Sequence, residues 1–228
     1  MTDAPPNPDL LRSLGKLARG LSAMFWGLPV ALILCFSAGA RLELFRVSSL
    51  VPALFALGLL FYGLTLMGDF QKQERPWRLA LDRAKLLALV NLGLSPFLYF
   101  RNRLPEQPLF IWSVALLAVS GLLFLYNLNF VLLRLSAMLP DETLRHEARQ
   151  FTALNRGLLI SMTLLAAVYY LVPHLAKIPL WLILLHDMLQ RFSILALVPL
   201  LILPLAMTMA LLWKTKEVIL ESVFEAKH

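Results

Sequence analysis

Residues 109–133 have the sequence LFIWSVALLAVSGLLFLYNLNFVLL and contain no charged side chain. A run of about 20 apolar residues is long enough to form a helix that crosses the ~30 Å hydrocarbon core of a bilayer. Because lipid offers no hydrogen-bond partners to the backbone, a single crossing segment of this kind must be helical. This stretch therefore predicts a transmembrane helix, and similar stretches recur on both sides of it.

The other apolar stretches are distributed along the whole chain. They are residues 21–40, 47–68, 86–100, 157–176 and 193–213. The sequence thus predicts an all-α, polytopic integral membrane helix bundle, with six transmembrane helices arranged as three hairpins and short interfacial amphipathic helices. Its expected parts are a polar tail with a basic interfacial helix over 1–20, the bundle over 21–213, and a cytoplasmic tail helix over 214–228.

The composition agrees with lipid as the main solvent. Hydrophobic residues make up 59% of the chain and charged residues 15%, whereas soluble domains average about 45–50% and about 25%. The net charge of +7 resides in short connecting segments, which is typical of membrane orientation signals and argues against a nucleic-acid partner. The single cysteine, Cys35, lies in an apolar run and has no intrachain partner for a disulfide.

The positive charge alternates between successive connecting segments. The first, third, fifth and seventh segments hold 15 of the 21 Lys and Arg residues. Because Lys and Arg are retained on the cytoplasmic side, this asymmetry predicts that both termini are cytoplasmic. We expect the protein to reside in a bacterial-type inner membrane.

Two places in this scheme are irregular. Span 86–100 is short and contains Asn91 and Pro96, so we expect it to be tilted little, kinked, or locally broken where neighbouring helices shield its backbone. Residues 178–213 would form a helix of roughly 50 Å, which is too long for one crossing. We therefore predict a division near Phe192, with residues 180–191 lying in the outer interface.

Polar residues inside the spans are candidates for function. Asn91 and Asn127 both fall roughly 8 Å below the cytoplasmic surface by helix counting, and the two could hydrogen-bond. The predicted polar layer at this level consists of Tyr62, Asn91, Asn127, Ser161, Thr163 and Thr208. Such a layer either surrounds a cytoplasm-facing cavity for a small polar ligand or lipid headgroup, or clamps helices together by hydrogen bonds.

A second group of candidates lies at the opposite, outer surface. It consists of His174, His186, Asp187 and Arg191. Haem ligation needs two facing imidazoles, and a proton-handling or quinone-headgroup site would use His186 beside Asp187. The simpler interpretation is a hydrated interfacial pair with an Asp187–Arg191 contact, and we predict no cofactor or metal.

The connecting segments show helix signals of their own. Asp141 precedes an amphipathic stretch, which predicts that a capped helix begins there. Residues 10–20 contain three basic side chains among apolar ones, which predicts an interfacial helix. Near the C-terminus, acidic residues recur at steps of four at Glu217, Glu221 and Glu225. This tail is suited either to docking against a partner or to solvation.

No catalytic, nucleotide-binding or metal-binding motif is present in the sequence. The leading hypothesis is a non-enzymatic accessory or scaffold subunit that contacts membrane lipids and other membrane subunits, or a second copy of itself. The alternative is a small transporter or channel that uses the polar layer near Asn91 and Asn127. A membrane enzyme or electron carrier working near His186 and Asp187 is the third class considered.

Overall fold

The computed structural model describes residues 8–39, 50–71, 73–104, 106–171 and 179–225. Within these ranges the chain is all-helical and has no strand, which confirms the all-α part of the predicted fold class. The helices are α1 (Pro8–Gly39), α2 (Leu50–Met67), α3 (Arg75–Leu94), α4 (Pro96–Arg103), α5 (Pro108–Met138), α6 (Glu142–Leu171) and α7 (Leu180–Glu225).

Two of the described helices are long and apolar enough to cross a membrane. They contain the segments Leu11–Leu34 and Pro108–Met138, and a shorter apolar helix covers Val51–Met67. In α5 only 28% of the most apolar 18 residues are buried within the protein, a low share for the core helix of a soluble domain. Because only two of the described helices meet this criterion, the six crossings remain a prediction.

Helix α5 contacts several other helices along one side. It packs against α3, α6 and α7, while α1 packs between α2 and α7. Leu128, Leu132 and Leu135 of α5 are fully buried and belong to one continuous apolar core. This arrangement brings the middle of α5 close to both α6 and α7.

Helices α1 and α2 approach each other through glycine. A Cβ atom on Gly20 would lie 2.7 Å from the backbone oxygen of Gly63, and one on Gly63 would lie 2.9 Å from the backbone oxygen of Gly20. Further along the contact, a Cβ on Gly27 would lie 2.7 Å from Leu60 Cδ2. Only residues without side chains permit this backbone separation, as in small-residue contacts between membrane helices.

Helix α7 differs from the sequence prediction. It continues for 46 residues from Leu180 to Glu225, so the predicted division near Phe192 is wrong. Its prolines remove single hydrogen bonds, but the ladder on either side persists. At ~1.5 Å per residue the helix is about 69 Å long and exceeds the ~30 Å hydrocarbon core. The predicted tail from residue 214 is thus its continuation.

The basic segment at residues 10–20 is also not a separate interfacial helix. Helix α1 is continuous across residue 20, and Leu17 and Leu21 are fully buried in the core. The apolar side of this segment contacts α2, so the segment packs against protein.

Two sequence predictions about helix ends are confirmed. The predicted irregularity in span 86–100 is an interruption at Ser95, between α3 and α4, where Ser95 keeps helical backbone angles and Pro96 is the first residue of α4. At the start of α6, Asp141 Oδ1 accepts hydrogen bonds from the backbone N–H of Thr143 at 2.8 Å and of Leu144 at 3.2 Å. A carboxylate at this position satisfies N–H groups that have no partner within the helix.

Candidate functional site

A buried polar junction joins α5, α6 and α7. It consists of Asn129, Asn155 and Thr208, whose exposed fractions are 3%, 0% and 0%. The Asn129 Nδ2 group donates to Thr208 Oγ1 at 2.9 Å, and the Asn155 Nδ2 group donates to the same oxygen at 3.0 Å. One hydroxyl therefore connects three helices.

The local structure of α7 explains why Thr208 serves as the hub. Its hydroxyl donates to the carbonyl oxygen of Pro204 at 2.7 Å, and the Asn155 amide donates to the same carbonyl at 3.1 Å. A hydroxyl offers one donor and two acceptor sites, so the Thr208 hydroxyl is fully used by protein groups. Asn155 Oδ1 is buried and has no hydrogen-bond partner among the described residues.

A groove between α5 and α6, here called the basic groove, adjoins this junction. It has a cavity volume of about 250 Å³, and its lining includes Asn129, Arg149, Thr152 and Arg156. The Arg156 guanidinium carbon lies 5.9 Å from the centre of the Tyr126 ring, which also lines the groove. This cation–π geometry fixes one guanidinium at the groove wall.

A second, apolar cavity of about 290 Å³ continues the groove along the same two helices. The two cavities share Tyr126, Arg156 and Leu159. Beyond these residues the lining is almost entirely apolar, and it includes Leu122, Leu123, Ile160 and Leu164. The groove thus changes from cationic to hydrocarbon-like along its length.

Two ion pairs connect other segments of the chain. Lys16 pairs with Asp69 and Lys214 pairs with Glu147, all with partly exposed side chains. Hydrogen bonds from the Thr143 hydroxyl and the Leu144 amide lower the pKa of the Asp141 carboxyl below its ordinary value. The Asp141 contact lies at the start of α6, whereas Lys16 and Lys214 lie inside α1 and α7.

The residues of the predicted polar layer do not all lie together in the structure. Thr208 belongs to the polar junction, whereas Tyr62 is 55% exposed. Ser161 and Thr163 are exposed and donate to carbonyls of their own helix.

Asn91 and Asn127 do not hydrogen-bond to each other within the described structure. The Asn127 amide donates to the Leu123 carbonyl of its own helix at 2.8 Å. Asn91 is 3% exposed, and its Oδ1 atom has no hydrogen-bond partner among the described residues.

The predicted outer group is described only in part. His186 is half-buried and Asp187 is exposed, both on α7. His174 and the side chain of Arg191 lie outside the described part of the chain. Across the described residues, no group of three His, Cys, Asp or Glu side chains is arranged to hold a metal ion.

Sequence reasoning missed Asn129, Asn155 and the glycine contact. Asn155 lies in a segment that the charge pattern assigns to the cytoplasm, and helix counting favours Asn127 over its neighbour Asn129. The available signal was the position of Asn129 among Leu125, Leu128 and Leu132, which define the buried side of α5.

No protein-family model, no curated protein and no solved structure matches this chain.

Proposed function

We propose that this chain is a non-enzymatic integral membrane protein that acts as an accessory or scaffold subunit through helix–helix and lipid contacts. The observation that carries the proposal is the direction of its side chains. Polar groups in the middle of the bundle bond to one another, while large apolar side chains point outward. A surface of this kind is suited to lipid or to another membrane helix.

The outward apolar surface is organised in stripes. On α5 the exposed fractions of Trp112, Leu116 and Leu123 are 56%, 56% and 48%, at steps of four and seven residues. Comparable exposed residues occur on α1 and α2, including Trp26 and Phe55. Water-soluble proteins seldom expose contiguous apolar surface of this extent, so the pattern favours a membrane and a subunit role.

The proposed topology has six crossings, with both termini on the cytoplasmic side of a bacterial-type inner membrane. The charge asymmetry of the connecting segments supports this topology. The ion pairs Lys16–Asp69 and Lys214–Glu147 agree with it, because both lie beside segments assigned to the cytoplasm.

Site-specific photo-crosslinking in native membranes tests the subunit role. A photoreactive amino acid at Trp112 or Leu116 should give one discrete adduct of the same partner mass, since both positions lie on one stripe and neither lines the groove between α5 and α6. The control position is Leu128, which is fully buried and should give no adduct with another protein. Adducts with lipid alone at both exposed positions would contradict the subunit role.

The transporter alternative makes an opposite prediction at Thr208. A transport pathway would keep this polar junction accessible to water, whereas a helix clamp would keep it dry. We expect a Thr208→Cys variant, in a Cys35→Ser background, to resist a membrane-impermeant maleimide in sealed vesicles and in open membranes alike. Rapid labelling of folded protein would favour transport.

A further inference from the structure

We infer that the basic groove between α5 and α6 binds the phosphate headgroup of an anionic phospholipid, with one acyl chain along its apolar continuation. The inference requires membrane insertion but no partner subunit. It can therefore fail while the proposed subunit role holds, and the reverse is also true.

Two arginines supply the charge. Arg149 and Arg156 lie seven residues apart on one face of α6, and both line the groove. Within the described structure no carboxylate pairs with either residue, whereas Lys16 and Lys214 each have a carboxylate partner. Guanidinium groups bind phosphate oxygens with two parallel hydrogen bonds, so the unneutralised pair matches a phosphodiester.

A threonine hydroxyl lies between the two arginines. Thr152 lines the same groove, and its Oγ1 atom is buried without a hydrogen-bond partner among the described residues. Other threonines in long helices use their hydroxyls locally: Thr163 donates to Leu159 O at 2.8 Å and Thr215 to Leu211 O at 2.7 Å. The Thr152 hydroxyl is thus available to donate to an oxygen of a bound phosphate.

The apolar continuation has the length that a lipid requires. From Arg156 to Leu164 it follows α6 for about 12 Å at ~1.5 Å per residue. One leaflet of a bilayer with a ~30 Å core is about 15 Å deep. Arg156 immediately precedes the predicted span 157–176, the depth at which headgroup phosphates lie. A free phosphate ion would leave this apolar half of the groove unused.

Native mass spectrometry of the full chain in detergent tests the inference. Phosphatidylglycerol is titrated against phosphatidylcholine with the same acyl chains. Both lipids carry a phosphodiester, but two guanidinium groups repel the quaternary ammonium of phosphatidylcholine. We therefore expect phosphatidylglycerol, which has no cationic group, to bind at least about tenfold more tightly. Equal binding of the two lipids would overturn the proposal.

Matched variants separate a site from general attraction between charges. Arg149→Gln with Arg156→Gln should abolish the preference for phosphatidylglycerol. Arg78→Gln with Arg83→Gln removes the same charge from exposed positions on α3 and should leave the preference unchanged. An equal loss in both double variants would indicate nonspecific electrostatics and contradict the inference.

A third variant changes no charge. Thr152→Val should weaken phosphatidylglycerol binding about fivefold to tenfold, and it carries the test if the arginine variants fail to fold. Competition with millimolar inorganic phosphate distinguishes the source of the anion. Displacement of the lipid by phosphate alone would show a soluble-anion site and overturn the lipid assignment, whereas retention of the lipid supports it.

Discussion

The α1–α2 contact and the α5–α6–α7 junction hold helices together in different ways. At the first, the backbone oxygen of Gly20 lies where a Gly63 side chain would begin, and the backbone oxygen of Gly63 lies where a Gly20 side chain would begin. At the second, Asn129, Asn155 and Thr208 connect three helices by hydrogen bonds. If the chain lies in a membrane as proposed, close packing and buried hydrogen bonds replace much of the hydrophobic driving force, because lipid tails are as apolar as leucine.

The comparison implies different sensitivities. A close backbone contact fails when any atom is added, because backbone cannot move aside cheaply. A hydrogen-bonded junction fails when a donor or acceptor is removed, because its partner then stays buried and unsatisfied. The first should respond most strongly to added volume and the second to lost polarity.

The largest effect is expected at the glycine contact. Gly20→Ala places a Cβ against the Gly63 carbonyl oxygen and should lower the free energy of unfolding by about 2–3 kcal/mol, despite the better helix propensity of alanine. The measurement is the unfolding midpoint of the purified protein in detergent. Gly58→Ala on α2 is the control, because nothing lies within 4 Å of its added Cβ. Equal midpoints for the two variants would refute the close contact.

Loss of the hub hydroxyl should have the next largest effect. Thr208→Val removes the acceptor of two interhelical hydrogen bonds and should cost about 1–2 kcal/mol, near the upper end of values for membrane helices. Thr163→Val is the matched control, since its exposed hydroxyl bonds only within α6. A destabilisation no greater than that of the control would show that the junction contributes little.

The two neighbouring asparagines of α5 sharpen the comparison further. Asn129→Leu removes an interhelical hydrogen bond and should lower stability by about 0.6–1.7 kcal/mol. Asn127→Leu removes only a bond to its own helix and should change stability by less than about 0.5 kcal/mol. The measurement is the thermal midpoint of each variant in detergent, which should be lower for Asn129→Leu than for Asn127→Leu. The reverse order would contradict the assignment of Asn129 to the junction.

The smallest effect concerns the helix cap outside both contacts. The pKa of Asp141 is lower in the folded protein, so its contribution is present above its unfolded pKa and is lost as pH falls through the folded pKa. The difference in free energy of unfolding between the wild type and Asp141→Asn should therefore become smaller as the pH is lowered towards 3. A constant difference across an acid titration would argue against a cap that depends on charge.

The irregular places in the sequence were predictable to different extents. The break at Ser95–Pro96 and the cap at Asp141 follow from residues within one or two turns, so local rules sufficed. The continuity of α7 over 46 residues did not follow, because the expected thickness of a bilayer gives no reason for so long a helix. Packing of its C-terminal part against the start of α6, through the Lys214–Glu147 pair, supplies that reason.

The sequence alone determined that the described chain is helical and that its surface chemistry is apolar, because periodicity and composition act within each segment. Only the tertiary structure decided which polar groups meet. Asn127 and Asn129 are two residues apart and chemically identical, yet only Asn129 faces α7. The physical reason is that hydrogen bonds and glycine contacts depend on the rotation and separation of neighbouring helices, which no single segment encodes.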